Sequence, residues 1–134
     1  MSYIEWSDKY SVGNSMVDDQ HQKLMDIINR YHDSLEAQRP RDELVRIFDE
    51  VADFAVYHFR DEEALMAKIE FPKLARHQAI HRQLIDQVKK LRGELVAGVA
   101  GSEQQIRFFL KNWLTAHIVG IDTQYTPFLG VHVH

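Results

Sequence analysis

Four segments of the chain place apolar residues at a helical period, and each predicts one amphipathic helix. Val17, His21, Leu24, Ile28 and Leu35 recur at spacings of three, four and seven, with a start near Asp18. The break "QRPRD" (38–42) offers Pro40 near a helix start and Asp42 as a possible cap. A second stripe then runs through Leu44, Ile47, Phe48, Val51, Phe54, Ala55, His58, Glu62 and Leu65. "KIEFPKL" (68–74) is a connection interrupted at Pro72. In the third segment Leu74, His81, Val88 and Leu95 are spaced by sevens, as are His77, Leu84 and Leu91. Interleaved, they form the two core columns of a heptad-like helix. "AGVAGS" (97–102) ends it. Ile106, Phe109, Leu110, Trp113 and His117 mark a fourth helix, running to about Gly120.

Short connections between four such helices predict an all-α fold, an antiparallel up-down-up-down four-helix bundle. The chain reads as a single domain over 1–134. Residues 1–16 lack a helical period and predict an extended N-terminal arm. Residues 17–126 make the bundle and a cap, and 127–134 a loose tail. There is no internal repeat.

Composition narrows the function. The 134 residues suffice for one real core, and 45% hydrophobic with 27% charged is ordinary for a globular protein. A net charge of −4 argues against a nucleic-acid surface. No apolar run is long enough for a membrane span. "MSYIEWSDKY" does not read as a signal peptide. The absence of cysteine excludes disulfides and thiolate sites, and a cytoplasmic location is the default expectation.

The eight histidines change the picture. His21, His58, His77, His81 and His117 fall on core stripes, at least one per helix, and Glu62 joins them. Each left unpaired in a core would cost roughly 1–3 kcal/mol. One shared cationic centre satisfies all of them together. His77 and His81 are an i, i+4 pair on one helix face, about 6 Å apart in rise. His58 and Glu62 repeat that geometry with a carboxylate. "HQAIH" lacks the Glu of the zinc-protease HExxH motif. Asp122 follows His117 by five residues, about 140° off its face on an ideal helix. Spacing alone leaves it either a solvated residue or a ligand brought in by a loosened helix end near Gly120.

Five imidazoles and two candidate carboxylates exceed the four ligands of a structural zinc. They fit two octahedral ions with one position left open, which suits iron and dioxygen. The two Glu-x-x-His motifs of ferritin-type oxidases are absent. Oxygen binding is therefore expected over strong oxidation. His32 lies roughly 16 Å along the axis from His21 and reads as a bundle-end residue. His132 and His134 read as tail, and Asp61 and Glu63 as water-facing.

The ordered set of one His, HxxxE, HxxxH and HxxxxD resembles the hemerythrin family, in its single-domain bacterial form. The resemblance spans nearly the whole chain: "EWSDKYSVGNSMVDDQH", "HFRDEE", "HQAIH", "WLTAHI" with Asp122, and "DTQYTPFL". It implies an oxo- or hydroxo-bridged centre of two iron ions that binds dioxygen reversibly. By similarity, His77, His81 and His117 would hold one iron, His21 and His58 the open one, and Glu62 and Asp122 would bridge. Phe59, Trp113, Leu114 and Ile118 would wall the oxygen pocket, and equally serve as core. An oxygen carrier or store is expected rather than an enzyme, with an oxygen-consuming enzyme as a possible partner. The alternatives are an oxygen- or redox-sensing module, a weak peroxidase, or a metal-dependent hydrolase prompted by His32-Asp33.

Overall fold

A computed structural model describes residues 3–132. Four long helices make up the bundle: α1 (Ser15–Glu36), α2 (Arg41–Lys68), α3 (Leu74–Ala97) and α4 (Ser102–Gly120). A short 3-10 turn (Asp122–Tyr125) and α5 (Thr126–His132) follow. No strand occurs among the described residues. α1 packs on α2 and α4, and α3 packs on the same two, so the helices close a ring in chain order. The expected all-α, up-down-up-down bundle is the fold observed. No helix among the described residues is long and apolar enough to cross a membrane.

The apolar stripes face one another across the ring. Away from the histidines, the core consists of Leu24, Ile28 and Tyr31 on α1, Leu44, Phe48 and Val51 on α2, Leu91 and Leu95 on α3, and Ile106 and Leu110 on α4. The Tyr31 hydroxyl satisfies itself on the Glu103 carbonyl at 3.0 Å. On α2 the buried stripe is centred slightly away from the expected one. Phe59 and Met66 are buried, whereas Phe54 and Leu65 are half-buried.

Both chain ends differ from expectation. α1 begins at Ser15 rather than near Asp18, because Asn14 caps it by accepting from the Val17 N–H at 3.1 Å. Asp18 instead ties down the arm, accepting from the Ser11 hydroxyl at 2.6 Å and the Val12 N–H at 2.9 Å. The arm carries a 3-10 turn at Asp8–Tyr10 and is pinned to α1 by paired hydrogen bonds between Ile4 and Asn29. Residues 126–132, expected as the end of the cap and a loose tail, form a helix. Burial of Leu129 and a Thr126 hydroxyl bond to the Val12 carbonyl at 2.7 Å hold it against the arm. The His132 and His134 side chains lie outside the described residues.

Helices α1, α2 and α3 end in the same way. In each, a residue in the left-handed region lets two N–H groups fold back onto the last turn: Gln38 and Arg39 onto Leu35 and Ser34, Glu70 and Phe71 onto Ala67 and Met66, and Gly98 and Val99 onto Leu95 and Glu94. Only the third uses glycine; Gln38 (φ 57°) and Glu70 (φ 56°) carry side chains there. Left-handed backbone costs a residue with a Cβ about 1 kcal/mol. Gln38→Gly and Glu70→Gly should each raise unfolding stability by about 0.5–1 kcal/mol, read by urea denaturation.

Candidate metal centre

His21, His58, Glu62, His77, His81, His117 and Asp122 are all buried, at 6% exposure or less. Each comes from where its helix nears one end of the ring: the start of α1 and α3, the end of α2 and α4. Antiparallel packing brings those four ends together. Asp122 arrives differently. Gly120 is the last residue of α4, and the helix gives way there, as an inward Asp122 requires. The chain leaves the α-helix after it, with Ile121 at φ −116°, ψ −55°, and tightens into the 3-10 turn. Carbonyls freed there are taken by side chains: the Thr123 hydroxyl on Val119 at 2.6 Å and the Gln124 amide on Gly120 at 2.9 Å. With the helical path broken at Ile121, Asp122 comes to lie beside His117, and its carboxylate is fully buried.

The two carboxylates sit between the histidines, each with one oxygen toward either side. Glu62 Oε1 lies 3.3 Å from His77 Nε2 and 3.1 Å from His81 Nε2, while Oε2 faces His58 Nε2 at 3.9 Å. Asp122 Oδ1 lies 2.9 Å from both His77 Nε2 and His117 Nε2, and Oδ2 lies 3.1 Å from His21 Nε2. The donor atoms thus form two groups that share both carboxylates. One is Glu62, His77, His81, His117 and Asp122; the other is His21, His58, Glu62 and Asp122; within each, ligand atoms lie within 4.8 Å of one another.

These approaches are close, yet they are not hydrogen bonds. The Nε2 atoms of His21, His77, His81 and His117, Glu62 Oε1 and both Asp122 oxygens are buried without a hydrogen-bond partner. Lone pairs that converge without aligning on one another suit a cation placed among them. The donor set of imidazoles and carboxylates is that of a borderline-to-hard divalent metal.

The cluster's electrostatics follow from its burial. Burial dominates at His58 and pushes its pKa down to about 4, which keeps it neutral, the form that binds metal. Burial would raise Glu62 and Asp122 as well, but the surrounding imidazoles outweigh it. Glu62 is held down to about 2 and Asp122 well below the usual carboxylate range. Burial works against a charged His77, but the Asp122 and Glu62 carboxylates prevail and raise it to about 9.

Sequence reasoning missed four residues that hold this cluster. Tyr125 donates its hydroxyl to Glu62 Oε2 at 2.8 Å. Burial, reinforced by the Glu62 and Asp122 charges, pushes its pKa up and keeps it a donor. Gln20 Oε1 accepts from His58 Nδ1 at 2.7 Å, and Gln20 Nε2 donates to Asp61 at 2.9 Å. Glu63 accepts from His81 Nδ1 at 2.8 Å. Asp61 and Glu63, expected to face water, are half-buried and engaged. The readable signal was their position: both flank Glu62 on α2.

Of the expected oxygen-pocket wall, Phe59 stacks on His81 with ring centres 3.9 Å apart and meets Trp113 edge-on at 6.1 Å. Both also line an apolar cavity of about 180 Å³ between α2 and α3. Leu114 and Ile118 are buried on α4 but do not line that cavity. His32 stands apart, stacked on Tyr3 with ring centres 4.4 Å apart, and Arg107 Nη1 lies 3.3 Å from its Nδ1.

Comparison with known proteins places the chain among relatives of the same fold. Residues 12–129 match the model of the hemerythrin HHE cation binding domain. A bacteriohemerythrin of Methylococcus capsulatus is 32% identical over 97% of this chain and 99% of its own. One of Stenotrophomonas maltophilia is 30% identical over 100% of this chain and 86% of its own. The crystal structure of a wild-type hemerythrin superposes with a TM-score of 0.87 at 31% identity, covering 96% of this chain and 98% of that one. With a family model covering most of its length and a 32% identical relative matched over nearly the whole of both chains, the chain belongs to the hemerythrin family.

Proposed function

We propose that this chain holds two iron ions and binds dioxygen reversibly as a carrier or store, rather than acting as an enzyme. One observation carries the reading: Glu62 and Asp122 each turn one oxygen toward a three-histidine group and the other toward a two-histidine group. In this assignment His77, His81 and His117 serve one ion, His21 and His58 the other, and the two carboxylates bridge. Bound iron would supply the electrons and the open coordination position that reversible dioxygen binding needs.

The remaining residues govern access and protons. Phe59, Trp113, Leu114 and Ile118 form a dry wall that limits water near the centre, and an apolar shell of this kind slows loss of the bound gas to side reactions. Tyr125 keeps a proton on its hydroxyl and directs it at Glu62, which fixes that carboxylate's rotation. The metal-free cluster contains two ionised carboxylates, and His77 carries a compensating proton. A chain without cysteine and with net charge −4 fits a cytoplasmic oxygen-binding protein with no nucleic-acid partner.

Elemental analysis of the iron-loaded protein should give two irons per chain, and its visible absorption should change reversibly with oxygen. One zinc per chain and no oxygen-dependent band would overturn the reading. Glu62→Ala should weaken iron retention at least tenfold, roughly the loss seen even for groups that merely brace a ligand. Unchanged iron content would remove Glu62 as a bridge.

Iron loading should also release protons, because ligation needs neutral imidazole. His77 is raised to about 9 in the metal-free cluster, so it is protonated below that pH. Adding ferrous iron near pH 8 should therefore release about one proton per chain from His77, and the release should fade as pH rises through about 9. The same raised pKa means the metal-free fold gains stability from His77 at lower pH and loses that share as pH climbs through 9. An indicator-dye titration showing no release at pH 8 would mean that His77 is already neutral.

A further inference from the structure

The groups bracing the histidines from outside differ in charge. His81 sends its Nδ1–H to a carboxylate, Glu63, at 2.8 Å. His58 sends its Nδ1–H to an uncharged amide oxygen, that of Gln20, at 2.7 Å. The nearest charge behind that amide is Asp61, one hydrogen bond further out at 2.9 Å. His21 Nδ1 is buried with no partner at all. One donor group therefore has a histidine, His81, backed by a full negative charge, while the other has one ring backed by a neutral amide and one unbraced ring.

Helix geometry explains how one short run provides both braces. Successive residues on a helix point about 100° apart. From α2, Glu62 points into the core, Asp61 toward Gln20 on α1, and Glu63 toward His81 on α3. Gln20 in turn precedes His21, so α1 supplies both a candidate ligand and the brace for its neighbour's ligand.

A carboxylate that accepts an imidazole N–H draws the proton toward itself. The opposite ring nitrogen becomes a stronger electron donor and favours the higher charge on a bound metal. A neutral acceptor does this less, since charge-assisted hydrogen bonds are about twice as strong as neutral ones. We propose that Glu63 and Gln20 are positioning residues that set the two halves of the centre at unequal reduction potentials. Glu63 makes the three-histidine half easier to oxidise. Gln20 biases the half containing His21 and His58 toward ferrous iron and so slows its spontaneous oxidation by dioxygen. This inference rests on the two-iron reading above.

The test uses the full iron-loaded chain and spectroelectrochemical titration. Glu63→Gln keeps an acceptor of the same shape and removes its charge. The reduced-to-oxidised ratio at a fixed potential should rise about tenfold, about 59 mV for a one-electron step, with iron content unchanged. The double variant Gln20→Glu with Asp61→Asn keeps the chain of hydrogen bonds but moves the charge next to His58. It should shift the ratio the other way by a similar factor and speed autoxidation. If Glu63→Gln loses iron, the double variant decides alone. Full iron content with shifts under twofold, or shifts of the same sign in both variants, would overturn this inference and leave the two-iron reading intact. A wild-type chain that takes up no iron would overturn both.

Discussion

Two carboxylates buried side by side in a helical bundle are the constraint from which the rest follows. Glu62 and Asp122 have no exposure, and each lies within reach of imidazoles from several helices. Burying one uncompensated charge costs several kcal/mol, and two adjacent like charges cost more. The five histidines are therefore a condition of the fold as much as a feature of the site. Every helix must bring its histidine to the same depth, and that fixes the relative register of all four.

Stability to offset such a layer comes from the opposite end of the bundle. There, Leu24, Ile28, Tyr31, Leu44, Phe48, Leu95, Ile106 and Leu110 pack with no titratable group other than the Tyr31 hydroxyl, which is satisfied by a carbonyl. The polar end is then closed from outside. The arm is pinned by Asn29 and Asp18, and α5 is tied to the arm through Thr126. Tyr125, the last residue of the 3-10 turn before α5, belongs both to this cover and to the cluster, through Glu62. Closing the bundle and orienting a bridging carboxylate are one structural act at this residue.

Much of this was legible in the sequence, for a simple reason. Helical period assigns each residue to a face, and titratable groups on an apolar face announce themselves. The four helices, their connections and the histidines with Glu62 were readable that way, and the structure gathers all of these residues into one cluster. Period does not report which neighbour a half-buried flank will meet. Asp61 and Glu63 therefore looked like surface and Gln20 drew no reading, although each takes part in a hydrogen bond that braces the cluster. Asp122 was ambiguous because an ideal helix points it away; it lies inward because the α-helix ends at Gly120 and the backbone departs from it at Ile121. The helix at 126–132 was hidden by a short, weakly patterned segment whose order depends on contacts with the arm, more than a hundred residues away in sequence.

The acidic run Asp61-Glu62-Glu63 shows how little chemistry and how much direction decides a residue's part. The three side chains are nearly the same acid. Rotation by about 100° per residue sends one into the core, where its charge must be matched by imidazoles, and sends its neighbours to either side, where they stay partly in water. Partial exposure is what makes the flanking pair useful. Glu63 stays partly exposed, so it meets His81 without adding a third fully buried carboxylate to a core that already holds two. At His58 the same role falls to an amide, and the charge behind it stands one bond further from the core. His58 and His81 thus differ in what meets their Nδ1–H, an amide oxygen at one and a carboxylate at the other.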